Sequence, residues 1–143
     1  MREPFSYRAK FGARRVFHLI YPWTALNGLD KKLADYLPDT GGVFIEAGAN
    51  DGYYTLFAAQ KVGPAGKVIA VEPSSRERIN LRRNVERNGF DNVRIVTEAL
   101  GASAGEAHLC LAHYKHSGHN TMGSFAHDDV TAARPEQVRV EML

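Results

Sequence analysis

Three short apolar runs alternate with two stretches of helical periodicity between residues 43 and 97, and that alternation leaves few architectures open. Val43-Phe44-Ile45 is a continuous apolar run, which predicts a strand buried on both faces. Gly48 to Gly52 form a glycine-bearing turn. Tyr53 to Val62 read as a helix with Tyr54, Phe57, Ala58 and Val62 on one side. Gly63-Pro64-Ala65-Gly66 break it, and Lys67 to Val71 form a second buried strand. Ser74 and Glu77 have the spacing of a capping box. The helix they open runs to about Asn88, carries Ile79, Leu81 and Val85, and meets Gly89 where a terminating glycine belongs. Asn92 to Thr97 give a third strand. Strands alternating with helices predict an α/β fold with a parallel sheet, helices on its faces and right-handed crossovers. Ligands of such sheets bind beyond the carboxyl ends of the strands. Glu46–Gly52, Glu72 and Glu98 lie at those three ends.

The rest of the chain is less regular. Leu26 to Leu37 has helical spacing, with Thr24 as N-cap and Pro38 as stop. Before it, Arg2, Arg8, Lys10, Arg14 and Arg15 face Glu3 alone, so residues 1–38 read as a basic arm and helix ahead of a domain over 39–143. After Leu100, Glu106 to Leu111 resemble a strand, residues 113–129 a polar loop, and Gln137 to Met142 the start of another strand. No apolar run approaches the length of a membrane span. A net charge of +2 is too small to make nucleic acid the expected partner. One cysteine excludes a disulfide framework and fits a reducing, cytoplasmic setting. An unpaired sheet edge would leave homo-oligomerisation open.

The segment Glu46-Ala47-Gly48-Ala49-Asn50-Asp51-Gly52 carries the chemistry. A glycine turn between strand and helix lets a ligand approach the backbone and aims N–H groups and the helix end at an anion. Asn50 suits a left-handed position. Glu72 follows Gly52 by 20 residues, the distance at which an acid accepts from ribose hydroxyls. The dinucleotide fingerprint would need glycine at 50 and 53, where this chain has Asn50 and Tyr53. An NAD(P)-dependent oxidoreductase is therefore the rival reading, and a non-catalytic nucleotide-binding fragment is another.

The pattern E-x-G-x-N-x-G resembles motif I of class I S-adenosylmethionine (SAM) methyltransferases. Residues 43–55, Gly66 to Pro73, Asn84 to Gly89 and Glu98 to Gly101 together resemble the FkbM-type methyltransferases over about residues 40–111. The resemblance implies a Rossmann-like class I sheet with helices on both faces, with SAM as cofactor. It also implies methyl transfer to a hydroxyl of a sugar, glycolipid or natural product. SAM has no pyrophosphate, so the turn needs to admit only an amino acid and a ribose. Carried over, Gly48, Ala49, Asn50 and Gly52 would contact the methionine part, Glu46 its amino group and Tyr54 its carboxylate. Glu72 would hold the ribose hydroxyls, and Pro73 would lie beside the adenine. Glu98 would accept from the adenine amino group, and Ala99 would line that pocket. The family's later acidic strand motif has no counterpart here, so the chain reads as the N-terminal, cofactor-binding part of such an enzyme.

His108, His113, His116 and His119 cluster near Cys110, but their spacing fits no standard zinc pattern, so no metal is expected. The catalytic residue is left open. His119, on a polar loop after the core, is a candidate base for a hydroxyl acceptor.

Overall fold

The computed structural model describes residues 35–126, 129–130 and 132–142. The basic arm, and all but the end of the helix expected over Leu26 to Leu37, lie outside these residues. The chain divides into compact units Met1–Leu37 and Pro38–Leu143, and every element below belongs to the second.

Its first layer follows the alternation. Strand β1 is Val43–Ala47, helix α1 Tyr53–Val62, β2 Lys67–Val71, α2 Ser75–Asn88 and β3 Val93–Val96. The three strands form a parallel sheet in the order β1-β2-β3. Both crossovers step the same way across it. Right-handed connections therefore put α1 and α2 on one face, where the two helices touch. Phe44 lies opposite Val68, and Glu46 opposite Ala70. Val68 and Ala70 are fully buried beneath the helices, which contribute Leu56, Ala58, Ala59 and Val62 from α1 and Leu81 and Val85 from α2.

The caps match their residues. The Ser74 side chain accepts from the Glu77 N–H at the start of α2, and Gly89 ends that helix at φ 65°. Gly63 follows α1 at φ 66°. The Asn92 amide donates to the Ala59 and Gly63 carbonyls (3.0 and 2.8 Å), closing the carboxyl end of α1.

The expectation that β1 is buried on both faces is corrected. Val43 and Ile45 are 59% and 52% exposed. Their side chains point away from α1 and α2, and among the described strands β1 pairs with β2 alone.

A second sheet contains β4 (Ala99–Gly101), β5 (Gly105–Ala112) and β6 (Ala132–Met142), in the order β4-β6-β5. It buries a cluster of its own, made by Ala99, Leu109, Leu111, Val138 and Val140. β6 begins five residues before the expected Gln137. Pro135 hides that start. It sits opposite Cys110, while β4 pairs with β6 only at Val140–Met142. At Pro135 the strand is therefore an edge on its other side, where a proline is tolerated. The polar loop after β5 holds a 3-10 helix, Tyr114–His119, and Thr121 pairs back onto Cys110. The Glu136 carboxylate of β6 accepts from the Ser75 N–H in the first turn of α2 (3.1 and 3.3 Å), joining the two sheets. Among the described residues, no helix is long and apolar enough to cross a membrane.

Candidate functional site

The glycine turn leaves β1 and enters α1 through three left-handed residues, Gly48 (φ 81°), Asn50 (φ 52°) and Gly52 (φ 93°). Asn50 occupies the left-handed position that its residue type predicts. The two glycines serve different ends. A Cβ on Gly48 would meet nothing within 4 Å, so this position opens outward. A Cβ on Gly52 would lie 2.6 Å from Leu81 Cδ1, so this position lets α2 pack against the turn.

The turn amides do not face outward as expected. Gly48 and Ala49 both donate to the Val71 carbonyl (2.9 Å each), and Gly52 donates to the Ala49 carbonyl (2.8 Å). Asn50 N–H donates to Glu72 Oε2 (2.7 Å). The cause is β2, whose last carbonyl and following carboxylate end beside the turn. A phosphate cradle needs such amides free. This turn instead presents carboxylates and an open backbone.

Two of those carboxylates come from adjacent strand ends. Glu46 leaves β1 toward α1 and accepts a hydrogen bond from the Thr55 hydroxyl, which is itself fully buried. Burial pushes the Glu46 carboxyl up to about 7. The Thr55 bond opposes that rise, and repulsion from Asp51 and Glu72 adds to it. Glu72 is 5% exposed. Its Oε1 accepts from Ser74 N–H (2.8 Å), while Oε2 takes Asn50 N–H. Burial raises its pKa, and these two amide bonds hold the rise back. Each oxygen keeps one lone pair for an outside donor.

Three supporting side chains gave no signal of this role in the sequence. Thr55 holds Glu46. Asn84 Nδ2 donates to the Asp51 carbonyl (2.7 Å), and Asn88 Nδ2 to the Asn84 carbonyl (2.7 Å). The N-x-x-x-N-G segment thus ties α2 to the glycine turn as well as ending the helix. Arg78 gathers the carbonyls of Glu72 (3.0 Å), Pro73 and Thr97 (3.4 Å), fixing the chain just past β2.

Glu46, Gly48, Asn50 and Glu72 are thus brought together, with Tyr54 at the start of α1 and Pro73 after β2. Tyr53 and Tyr54 meet edge to face, with ring centroids 5.0 Å apart. Ala49 is buried under the turn. Glu98 folds back to accept from the Thr97 amide (3.1 Å) and hydroxyl (3.3 Å); its own backbone N–H first, and these two bonds after it, hold its carboxyl below the usual range. Ala99 packs into the core of the second sheet. Gly118, in the 3-10 helix, passes the turn closely enough that a Cβ there would lie 3.9 Å from Asn50 Nδ2. His119 follows it and is exposed. Among the described residues, no three His, Cys, Asp or Glu side chains are grouped to hold a metal. A cavity of about 500 Å³ at the opposite end of the parallel sheet, beside Lys67 and Phe90, contains none of the predicted site residues.

No protein-family model matches the chain, and no curated protein sequence matches it. Several solved structures are similar to part of it. A protein-L-isoaspartate O-methyltransferase is 32% identical over 50% of this chain and 23% of its own, with a TM-score of 0.47. A SAM-dependent methyltransferase from Aquifex aeolicus is 23% identical over 62% of this chain and 48% of its own, also with a TM-score of 0.47. A SAM-dependent O-methyltransferase from Thermotoga maritima is 18% identical over 60% and 45%, again with a TM-score of 0.47. The chain thus spans less than half the length of each of these three structures.

Proposed function

We propose that this chain binds S-adenosylmethionine and belongs to a methyltransferase. One observation carries the reading. The amides of Gly48, Ala49, Asn50 and Gly52 are engaged within the fold, while two carboxylates, half-buried Glu46 and buried Glu72, border the turn. Such a site rejects a pyrophosphate and suits a ligand with a cationic amino group and a sugar diol. S-adenosylmethionine has both; a nicotinamide dinucleotide brings two phosphates to amides that are already taken.

The residues divide the ligand among them. Each Glu72 oxygen takes one amide hydrogen bond and retains a second lone pair, and two acceptors so held match the vicinal hydroxyls of a ribose. Glu46 is the acceptor for the amino group, and a cation beside it favours its ionised form. Gly48 admits the chain of the amino acid, and Tyr54 is the candidate for its carboxylate. Pro73 and Glu98 flank the expected position of the adenine. When bound, the cofactor supplies an electrophilic methyl group. The chain's own part is to bind, orient and keep water away, since alignment supplies much of the rate in a direct displacement.

The finer reading is methylation of a hydroxyl on a sugar, glycolipid or natural product, of the kind the FkbM-like motifs suggest. His119, beside Gly118 on the segment that reaches Asn50, is the candidate base. The experiment is a calorimetric titration of the chain with S-adenosylhomocysteine, with NADH as control. Binding of the homocysteine compound alone, weakened at least about tenfold by Glu72→Ala, supports the reading. Binding of NADH in its place refutes it.

A further inference from the structure

The segment after β5 is pinned from outside itself by one arginine. Arg76 stands in the first turn of α2, and each nitrogen of its guanidinium has a partner. Nε donates to Glu77 Oε1 (2.6 Å), Nη1 to the Ala112 carbonyl (2.9 Å) and Nη2 to Asn120 Oδ1 (3.3 Å). Its centre lies 5.9 Å from the ring centroid of Tyr114, within cation–π range. Glu77 is 2% exposed, so its carboxylate fixes the guanidinium from the buried side. Ala112 and Asn120 bracket the 3-10 helix Tyr114–His119. Asn120 Oδ1 also accepts from the Ala112 N–H (3.0 Å), and the Cys110 and Thr121 backbones exchange hydrogen bonds (2.7 and 3.1 Å). Both ends of the segment therefore converge on Arg76. Its middle, at Gly118, runs beside Asn50 in the glycine turn.

We propose that Arg76 is a positioning residue, a latch that holds Tyr114–His119 against the glycine turn as a wall of the cofactor site. The inference rests on the cofactor reading for what the wall encloses, but not for the latch. A planar fork bridging two acceptors from fixed positions is a task for arginine; the single ammonium of lysine cannot span both. The latch thereby couples α2, whose N-terminus follows Glu72, to the loop that carries His119. A ligand held by Glu72 and Glu46 would find that wall already in place.

The test uses the full chain and four proteins: wild type, Arg76→Lys, Asn120→Ala and Asn120→Asp. Arg76→Lys keeps a cation beside buried Glu77, so the fold is not left with an unpaired charge. Asn120→Asp keeps the acceptor that Arg76 and Ala112 use, whereas Asn120→Ala removes it. Amide hydrogen exchange without ligand reads the latch. In Arg76→Lys and Asn120→Ala, exchange at Cys110 and Thr121 rises by about tenfold or more, while the amides of β1, β2 and β3 stay protected. Asn120→Asp behaves as wild type. Titration with S-adenosylhomocysteine reads the wall. Affinity falls about tenfold in the two loosened variants and is retained in Asn120→Asp. Unchanged exchange at Cys110 and Thr121 in Arg76→Lys overturns the latch, as does a uniform rise across both sheets. A loosened segment with wild-type affinity overturns the wall. If wild type binds no S-adenosylhomocysteine, the cofactor reading falls and the wall with it, while the exchange data still decide the latch.

Discussion

Glu46 concentrates the chemistry of the site in one side chain. Its carboxyl is raised from 4.5 to about 7, first by burial, so near neutral pH it carries only part of its charge. The sign of the stability effect follows. A carboxyl whose folded pKa exceeds its unfolded value contributes fully below the unfolded pKa and loses that contribution as pH rises through the folded one. The unliganded protein should therefore lose stability between about pH 4.5 and pH 7 on account of this group. Glu46→Gln, which keeps an acceptor for Thr55, removes the loss. Denaturant unfolding should show the variant more stable than wild type by about 1–3 kcal/mol at about pH 8, and equal to it at about pH 4. Ligand affinity should run the other way. S-adenosylhomocysteine brings an ammonium that favours ionised Glu46, so wild-type affinity should rise from about pH 6 to about pH 8, with proton release. In Glu46→Gln that rise should vanish and affinity should be weak throughout. A rise that persists in the variant would assign the titration elsewhere.

At the scale of elements, the glycine turn is fixed from three sides. β2 supplies the Val71 carbonyl and Glu72, α2 supplies Asn84 and Leu81, and α1 supplies Thr55. Gly52 is where these constraints meet. Alanine there would place its Cβ 2.6 Å from Leu81 Cδ1 at a φ of 93°. Leu81 is fully buried and has little room to give. Gly52→Ala should cost about 2–4 kcal/mol of stability, from left-handed strain plus overpacking, read as a lowered urea midpoint. Gly48→Ala meets only the strain and should cost about half as much. Equal costs would mean that α2 does not press on the turn.

The same elements show what a sequence discloses. α1, β2, α2 and β3 were legible because local signals agree: apolar period, breakers, a capping box and a terminal glycine. Glu46, Asn50 and Glu72 were legible as candidates because each lies at or just past the carboxyl end of a strand. The engaged turn amides were not, because they depend on where a carbonyl 23 residues away comes to rest. Arg76 and Arg78 carry no sequence signal of their roles, since those depend on where the Ala112 carbonyl, for Arg76, and the Glu72 and Thr97 carbonyls, for Arg78, come to rest in the fold. The early start of β6 was masked by Pro135, which breaks the pattern but not the strand.

At the scale of the molecule, two small sheets share one compact unit although their cores are built separately. The parallel sheet is covered by α1 and α2, and the second sheet closes around Leu109, Leu111 and Val138. The first turn of α2 is one junction between them: it receives Glu136 at Ser75 and sends Arg76 to Ala112 and Asn120. Glu136 is suited to that coupling, because its carboxylate meets the positive end of α2 as well as the Ser75 N–H. If that junction makes the domain cooperative, its loss must be felt by both sheets. Glu136→Ala should lower stability by about 1 kcal/mol. Amide exchange under increasing urea should then show β2 and β5 shifting together, in one transition. A variant in which β5 and β6 open at lower urea while β2 keeps its wild-type midpoint would show that the second sheet is an independent unit. In that case the wall beside Asn50 would be able to leave the parallel sheet without unfolding it.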